Sequence, residues 1–434
     1  MATTITELTV RDLRFPTSDD LHGSDAIHVD PDYSCPYVTL ITNQPGLVGH
    51  GITFTLGRGN ELCVAAIKAL EHLVVGETLE VITADFAGYW HSICNESQLR
   101  WLGPERGLIH MSVAAIVNAI WDLYAKHEGK ALWQLLSGMS PDQLVDCIDF
   151  HHITDALSRE EAIAILQANV AGKERRVAEL LDIGLPAYTS SAGWIGYEDT
   201  FRRAQCRKYL ADGFRAFKMK VGADLEDDIH RAKIIREEIG DDCHLMMDAN
   251  QVWDVPEAID NMRTLSQFNP LWIEEPTSPD DVLGHAAISK AIAPIGVATG
   301  ECISNRIMFK QFMQAGAMQF CQIDSCRVGG VNELLAIMLL AAKFKVPVCP
   351  HAGGVGLCNY VQHLAAFNYV AVSPSLDNVV LEFSDHLHEH FVDRLRVEQA
   401  RYRLPTTPGY SITMESRSVA DFEYPVGRVW KERA

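Results

Sequence analysis

From residue 216 to residue 383, one short apolar run after another ends on a polar residue. The runs AFKMKV, HLMMDAN, LWIEEP, GVATGE, FCQID, PVCPH and VVLEF carry Lys218 and Lys220, Asp248 and Asn250, Glu274, Glu301, Asp324, His351 and Glu382 at their ends. Counted from Lys220, these residues recur every 23–31 positions. That is the length of one strand, one helix and two connections. Amphipathic stretches such as EDDIHRAKIIREEIG and PEAIDNMRTLSQF fill the intervals. With PAYTS in front there are eight strand candidates in succession. Eight such units close into a parallel barrel more readily than they form an open doubly wound sheet.

In such a barrel the chemistry sits where strands end and loops begin. A single strand-end carboxylate is commonly a helix cap or a surface ion pair. A periodic set at one level is not required by packing and predicts a ring around the barrel mouth. Asp248, Glu274 and Glu301 come from three adjacent strands. Pointed at one another they repel unless a cation lies between them. An all-oxygen set suits Mg²⁺, with Mn²⁺ as the alternative, and the lack of Cys or His among the three argues against zinc. Glu275 follows Glu274 directly and, by strand alternation, points the other way.

Lys218 and Lys220 are two apart and face the same side of an apolar strand. Two ammonium groups this close are expected to depress each other's pKa, which prepares a lysine to act as a base. His351 has Asp324 at the end of the preceding strand. The pair reads as a His–Asp acid/base unit in which one ring nitrogen is held and the other faces the site. The glycines that follow at 353, 354 and 356 suit close backbone approach. They form neither a P-loop nor a dinucleotide fingerprint.

The rest of the chain arranges itself around the barrel at 185–391. Residues 1–140 mix strands (ITELTVRDLRF, then CPYVTLITN and GHGITFTLG as a hairpin about Pro45-Gly46) with helical patterns, Gly129 ending part of the second. This predicts an α+β capping domain. Residues 141–184 fit neither pattern and read as an insertion. The segment 392–434, with scattered prolines, is expected to return to the first domain. The fold class is therefore α/β: a modified (β/α)7β barrel with an N-terminal α+β capping domain completed by the C-terminal segment. His386, His388 and His390 in DHLHEHF lie beyond the eighth strand and are read as structural or surface residues.

The net charge of −20 repels nucleic acid. An anionic substrate would need a local cation, which a metal and a lysine supply. The apolar run at 113–123 is broken by Asn118 and Asp122 and reads as a buried helix, so no membrane partner is expected. The 11 cysteines lack CxxC spacing. With an N-terminus of no leader character, this suggests reduced thiols and a cytoplasmic setting.

KMKVG, MDANQ, WIEEP, ATGE, QIDSCRVGG and PHAGG resemble the motifs of the enolase superfamily, mandelate-racemase subgroup. Further strings, most of them outside the ring (VRDLRFPTS, GSDAIH, DPDYS, GITFTLGRGNE, QLRWLGPE, VCPHAGGVGLC), resemble the dehydratases of that subgroup that act on L-fuconate. The resemblance implies Mg²⁺ on Asp248, Glu274 and Glu301, Lys220 as base, and His351 backed by Asp324 as acid. It implies substrate contacts from Lys218, Asn250 and Glu382, with Gly23, Ser24, Asp25 and Tyr33 from a capping loop. The expected reaction is loss of water from L-fuconate by C2 proton abstraction and departure of the 3-hydroxyl. Lys218 and a protonated Glu382 would hydrogen-bond the enediolate. L-Galactonate is the alternative substrate, and a non-catalytic binding protein on the same fold is the alternative of another class. A homo-oligomer is expected from the resemblance. Two departures, Cys302-Ile303 after Glu301 and Asn359 in place of a glutamate, are expected to alter the pocket wall.

Overall fold

The structure, a computed structural model, describes residues 2–433. Three strands, β1 (Ile5–Arg14), β2 (Ser34–Thr42) and β3 (Val48–Ile52), form an antiparallel meander in that order. Gly46, at φ +82°, makes the turn between β2 and β3. The helix Gly107–His127 lies on this sheet and is buried along most of its length. It stops just before Gly129, whose φ of +64° a side chain would resist.

The barrel follows. Strands β4 (Leu185–Thr189), β5 (Ala216–Lys220), β6 (His244–Asp248), β7 (Pro270–Glu274), β8 (Gly296–Thr299) and β9 (Phe320–Cys321) are neighbours in chain order. The seventh stave, 347–351, joins β9 through a parallel bridge between Cys321 and Val348. The eighth, β10 (Leu381–Phe383), pairs in parallel with β4 and closes the ring. Seven helices fill the intervals, and after β10 the chain leaves the barrel. The connections into several helices end on an Asx cap. Asp224 accepts from Asp227 N (2.9 Å), Asp281 from Gly284 N (2.7 Å) and Asn305 from Met308 N (3.0 Å). A short hairpin, β11 (Val397–Glu398) and β12 (Arg401–Tyr402), adds to the start of β4.

Alternate residues of each stave point into the lumen. Tyr188, Ala216, Met246, Trp272, Ala298 and Phe320 pack there as a plug. Two residues further along the same faces come Lys218, Asp248 and Glu274. The polar ring therefore rests on a filled, apolar floor.

The C-terminal segment returns to the cap. Glu423 bridges Leu13 in antiparallel fashion, Tyr424 N donates to Asp12 O (2.8 Å) and Trp430 Nε1 to Arg14 O (3.1 Å). The segment 141–184 shares the main core, to which Leu166 and Leu180 contribute. Its helices Arg159–Ala168 and Lys173–Ile183 are tied to the turn Asn368–Val372: Asn169 Nδ2 donates to Val372 O (2.7 Å) and Arg176 Nε to Val370 O (2.9 Å).

Candidate active site

Strand register sets the first part of the site. Lys220 pairs with Asp248 across β5 and β6, and Asp248 with Glu274 across β6 and β7. Glu301 and Asp324 do not end strands as the sequence suggested. β8 stops at Thr299 and β9 at Cys321, so both residues stand in the loops just beyond. Gly300 makes that early stop possible, because a Cβ there would lie 2.3 Å from Gln322 O.

The carboxylates of Asp248, Glu274 and Glu301 nevertheless converge, each offering an oxygen within 4.8 Å of the others. Asp248 and Glu274 are fully buried. Burial, then Asp248, hold Glu274 well above the usual carboxylate range. Charge so concentrated calls for a cation, and three oxygen ligands with room for others fit Mg²⁺ or Mn²⁺.

Lys218 lies below this set and does not line the cavity. Its ammonium donates to Glu274 Oε1 (2.6 Å) and also meets Glu382 Oε1 (3.1 Å) and Asp248 Oδ2 (3.3 Å). Its contacts are therefore with the floor carboxylates, where the sequence suggested a substrate. Lys220 donates to Asp248 Oδ2 at 2.6 Å and reaches the cavity. Burial and, as expected, Lys218 push the Lys220 ammonium down, but Asp248, Asp25 and Glu301 together outweigh them, so the net lowering expected of the pair is not found and Lys220 is held above its ordinary value. Lys218 is held up in the same way by Glu274 and Glu382 against burial.

Across the mouth, Asp324 Oδ2 meets His351 Nδ1 at 2.8 Å, while Asp324 Oδ1 accepts the backbone N–H groups of Cys326 (2.7 Å) and Arg327 (2.8 Å). The other imidazole nitrogen faces Glu301 Oε2 at 3.4 Å. Burial works against the charged imidazole, yet Glu301, Asp324 and Glu382 push its pKa up to about 10. Glu382 is not the protonated donor expected from the sequence. Burial would raise it, but Lys218 and His351 pull it down to about 2, and its Oε2 accepts from Ala352 N at 2.9 Å.

Above this floor is a cavity of about 410 Å³. Asn250 lines it with a buried Oδ1 that has no hydrogen-bond partner. The capping loop supplies Gly23, Asp25 and Tyr33. Gly23 has φ +82°, and a Cβ on it would lie 2.1 Å from the Tyr33 hydroxyl. Ser24, expected among the substrate contacts, is instead buried out of the cavity, with its hydroxyl donating to Val29 O (3.0 Å). Asp25 Oδ1 accepts from the backbone of Ile27 (2.8 Å) and His28 (2.6 Å), and Oδ2 meets His28 Nδ1 at 3.0 Å.

Several residues not singled out from the sequence line the same space, among them His28, Phe54, Met111, Trp194 and Arg327. Arg327 Nε donates to Glu301 O at 2.9 Å. Trp194 had a signal: it lies in the long loop after the first stave, at the end of the barrel where sites form. Of the two departures, Cys302 lines the wall. Asn359 does not, since its Nδ2 donates to Asp393 O (3.1 Å) and Ser411 O (2.9 Å) and anchors the C-terminal segment. The three histidines diverge. His386 packs among Tyr33, Trp194 and His22, His388 Nε2 meets Ser384 O at 2.7 Å, and His390 Nδ1 meets Ser418 Oγ at 3.0 Å.

Residues 202–418 match a family model described as enolase C-terminal domain-like. Human mitochondrial enolase superfamily member 1 is 55% identical over 431 residues, covering 99% of this chain and 97% of that protein. L-Galactonate dehydratase of Hypocrea jecorina is 51% identical over 427 residues, covering 97% and 94%. The crystal structure of the human protein superposes with a TM-score of 0.99 at 54% identity, covering 100% of this chain and 99% of that one. That of L-talarate dehydratase from Polaromonas sp. JS666, complexed with Mg and L-glucarate, shares the fold at a TM-score of 0.72 and 23% identity, with 96% of each chain covered. A barrel closed by eight staves, a cap rebuilt from both ends of the chain, and identity of this extent place the protein in the enolase superfamily.

Proposed function

We propose that this protein is a Mg²⁺-dependent acid-sugar dehydratase, with L-fuconate as its substrate. One observation carries the reading: Lys220 and His351 flank the arc of Asp248, Glu274 and Glu301 and open into one cavity. Asp248, Glu274 and Glu301 would hold the ion. When bound, it supplies a Lewis acid for the substrate carboxylate and offsets the negative field that holds Lys220 protonated.

The proton on the carbon next to a carboxylate is very weakly acidic, so the developing enediolate needs opposing charge close by. Lys220 Nζ takes the C2 proton. His351, charged and held by Asp324, returns a proton to the departing 3-hydroxyl, which leaves as water. The enol then tautomerises to the 2-keto-3-deoxy acid. Asn250, with its unpartnered Oδ1, offers an acceptor to a substrate hydroxyl. Lys218 acts below, neutralising floor carboxylates.

L-Galactonate is the second reading, supported by the 51% identical relative of that name. It differs from L-fuconate by a hydroxyl at C6. Phe54, Leu56, Met111 and Trp194 give the cavity an apolar side that suits a methyl group, but an apolar wall rejects an added hydroxyl only by about 10²-fold.

Purified protein with Mg²⁺ should convert L-fuconate to a 2-keto-3-deoxy product, and kcat/KM across a panel of aldonic acids ranks the substrates. Lys220→Ala and His351→Asn should each lower kcat by about 10²–10⁴-fold. Near-normal turnover in either variant removes the assignment. No keto-deoxy product from any acid sugar would leave a binding protein on this fold.

A further inference from the structure

Glu275 and Cys302 sit beside the three converging carboxylates and have no part in the chemistry above. We propose that Glu275, Glu301 and Cys302 form a second divalent-cation site, one for a thiophilic ion such as Zn²⁺, which competes for Glu301 with the set of Asp248 and Glu274.

Each of the three residues offers a ligand atom, and these atoms lie within 4.8 Å of one another. The backbone makes this possible. Glu275 has φ +41°, so the chain leaves strand geometry there, and its N–H donates to Ala298 O (3.0 Å) on the β8 side. Its side chain thus stands within reach of Glu301 without joining Asp248. Glu275 is fully buried. One of its oxygens, Oε2, accepts from Gln251 Nε2 at 2.8 Å, and the other, Oε1, has no hydrogen-bond partner. Glu301 Oε2 is also buried without a hydrogen bond, its cationic neighbour being His351 Nε2 at 3.4 Å. Such oxygens are costly to keep unsatisfied, and one cation satisfies both.

A proton shared between the two carboxyls would do part of this, but it leaves Cys302 without a role. Cys302 is partly exposed where the other ten cysteines are buried, and it lines the cavity, so an ion from solvent reaches it. A thiolate with two carboxylates selects a softer ion than three carboxylates do. On binding, the thiol proton is released to water and the thiolate becomes the ligand. Glu301 belongs to both sets, so an ion here draws it from the first. That inhibitory consequence rests on the dehydratase reading, whereas the site itself does not.

Cd²⁺ is the probe, added to the full chain in excess Mg²⁺ while the ultraviolet thiolate-to-Cd²⁺ charge-transfer band is read. The band should saturate at one ion per chain and vanish in Cys302→Ser. In Glu275→Gln it should need at least about tenfold more Cd²⁺. A band that survives Cys302→Ser, or an unchanged affinity in Glu275→Gln, overturns the site. Far-ultraviolet circular dichroism on the same samples reports folding, and Cys302→Ala replaces the serine variant if that one is unfolded. Turnover is followed in parallel. Loss of activity that tracks the band in the wild type and is absent in Cys302→Ser supports competition for Glu301. A full band with undiminished turnover overturns it. If no acid sugar is turned over at all, the dehydratase reading fails, and the absorbance titration still decides the site.

Discussion

The two oxygens of Asp324 are used differently. Oδ1 accepts from the N–H groups of Cys326 and Arg327 and fixes its own loop, while Oδ2 holds His351 Nδ1. An asparagine can keep the first role with its carbonyl oxygen. Its amide then faces Nδ1 as a donor, where the imidazole needs an acceptor. Asp324→Asn should therefore fold, lose about 10²-fold or more in kcat, and move the alkaline limb of its pH–rate profile to lower pH. The sign follows from the charges: Asp324 and its neighbours raise His351 to about 10, so losing one anion lets the acid form discharge earlier. An alkaline limb that stays in place would show that the pair does not govern the acid. At this scale the sequence was legible where a polar side chain interrupts an apolar strand, as at Lys220, Asp248 and Glu274. It was not legible where backbone leaves the strand, because alternation no longer tells direction. Glu275, turned toward Glu301 by its positive φ, is that case, and Ser24, turned away from the cavity by a bond to Val29 O, is another.

Among the elements, β3 shows why recognising a strand does not reveal its neighbours. Gly49 and Gly51 alternate along it and so share a face. A Cβ would lie 2.4 Å from Ala119 O at Gly49 and 2.2 Å from Ala115 O at Gly51. Backbone, not flexible side chain, is what it would meet, so the helix Gly107–His127 would have to shift off the sheet. Gly51→Ala should therefore cost about 1–3 kcal/mol, the usual penalty for overpacking, seen as a lower urea midpoint. An unchanged midpoint would mean that the helix moves freely. The hairpin containing these glycines is readable from its pattern and from Pro45-Gly46, but the helix that requires them begins more than fifty residues later in the chain. The same limit applies to Asn359. Its sequence position suggests a pocket wall, while its bonds run to residues 393 and 411, contacts that only folding brings about.

Across the whole molecule, cap and barrel are joined by a buried charge cluster centred on Glu333. Glu333 Oε2 meets His110 Nε2, from the cap helix Gly107–His127, at 2.6 Å and accepts from Gly329 N at 2.6 Å. Glu333 Oε1 accepts from Arg306 N at 2.7 Å, and Arg306 Nη1 reaches Glu105 Oε2 at 2.7 Å. His110 is 1% exposed and Glu333 not at all, so solvent does not screen the pair. Burial alone would raise the carboxyl. His110 and Arg306 outweigh it and bring the pKa from 4.5 down to about 2. A depressed carboxylate contributes stability above its unfolded value, lost as pH falls through the folded one. Glu333 thus contributes roughly 3 kcal/mol at neutral pH, fading between about pH 4.5 and pH 2. Glu333→Gln leaves His110 buried without its carboxylate partner and Arg306 with only Glu105 and Asp149, and should lower stability at pH 7 by about 3–5 kcal/mol. The gap between wild type and variant, read as urea midpoints from pH 7 to pH 3, should narrow only on the acid side of about pH 4.5. A gap constant over that range would mean that Glu333 titrates alike in the folded and unfolded chains, and that the cap is held to the barrel by packing alone.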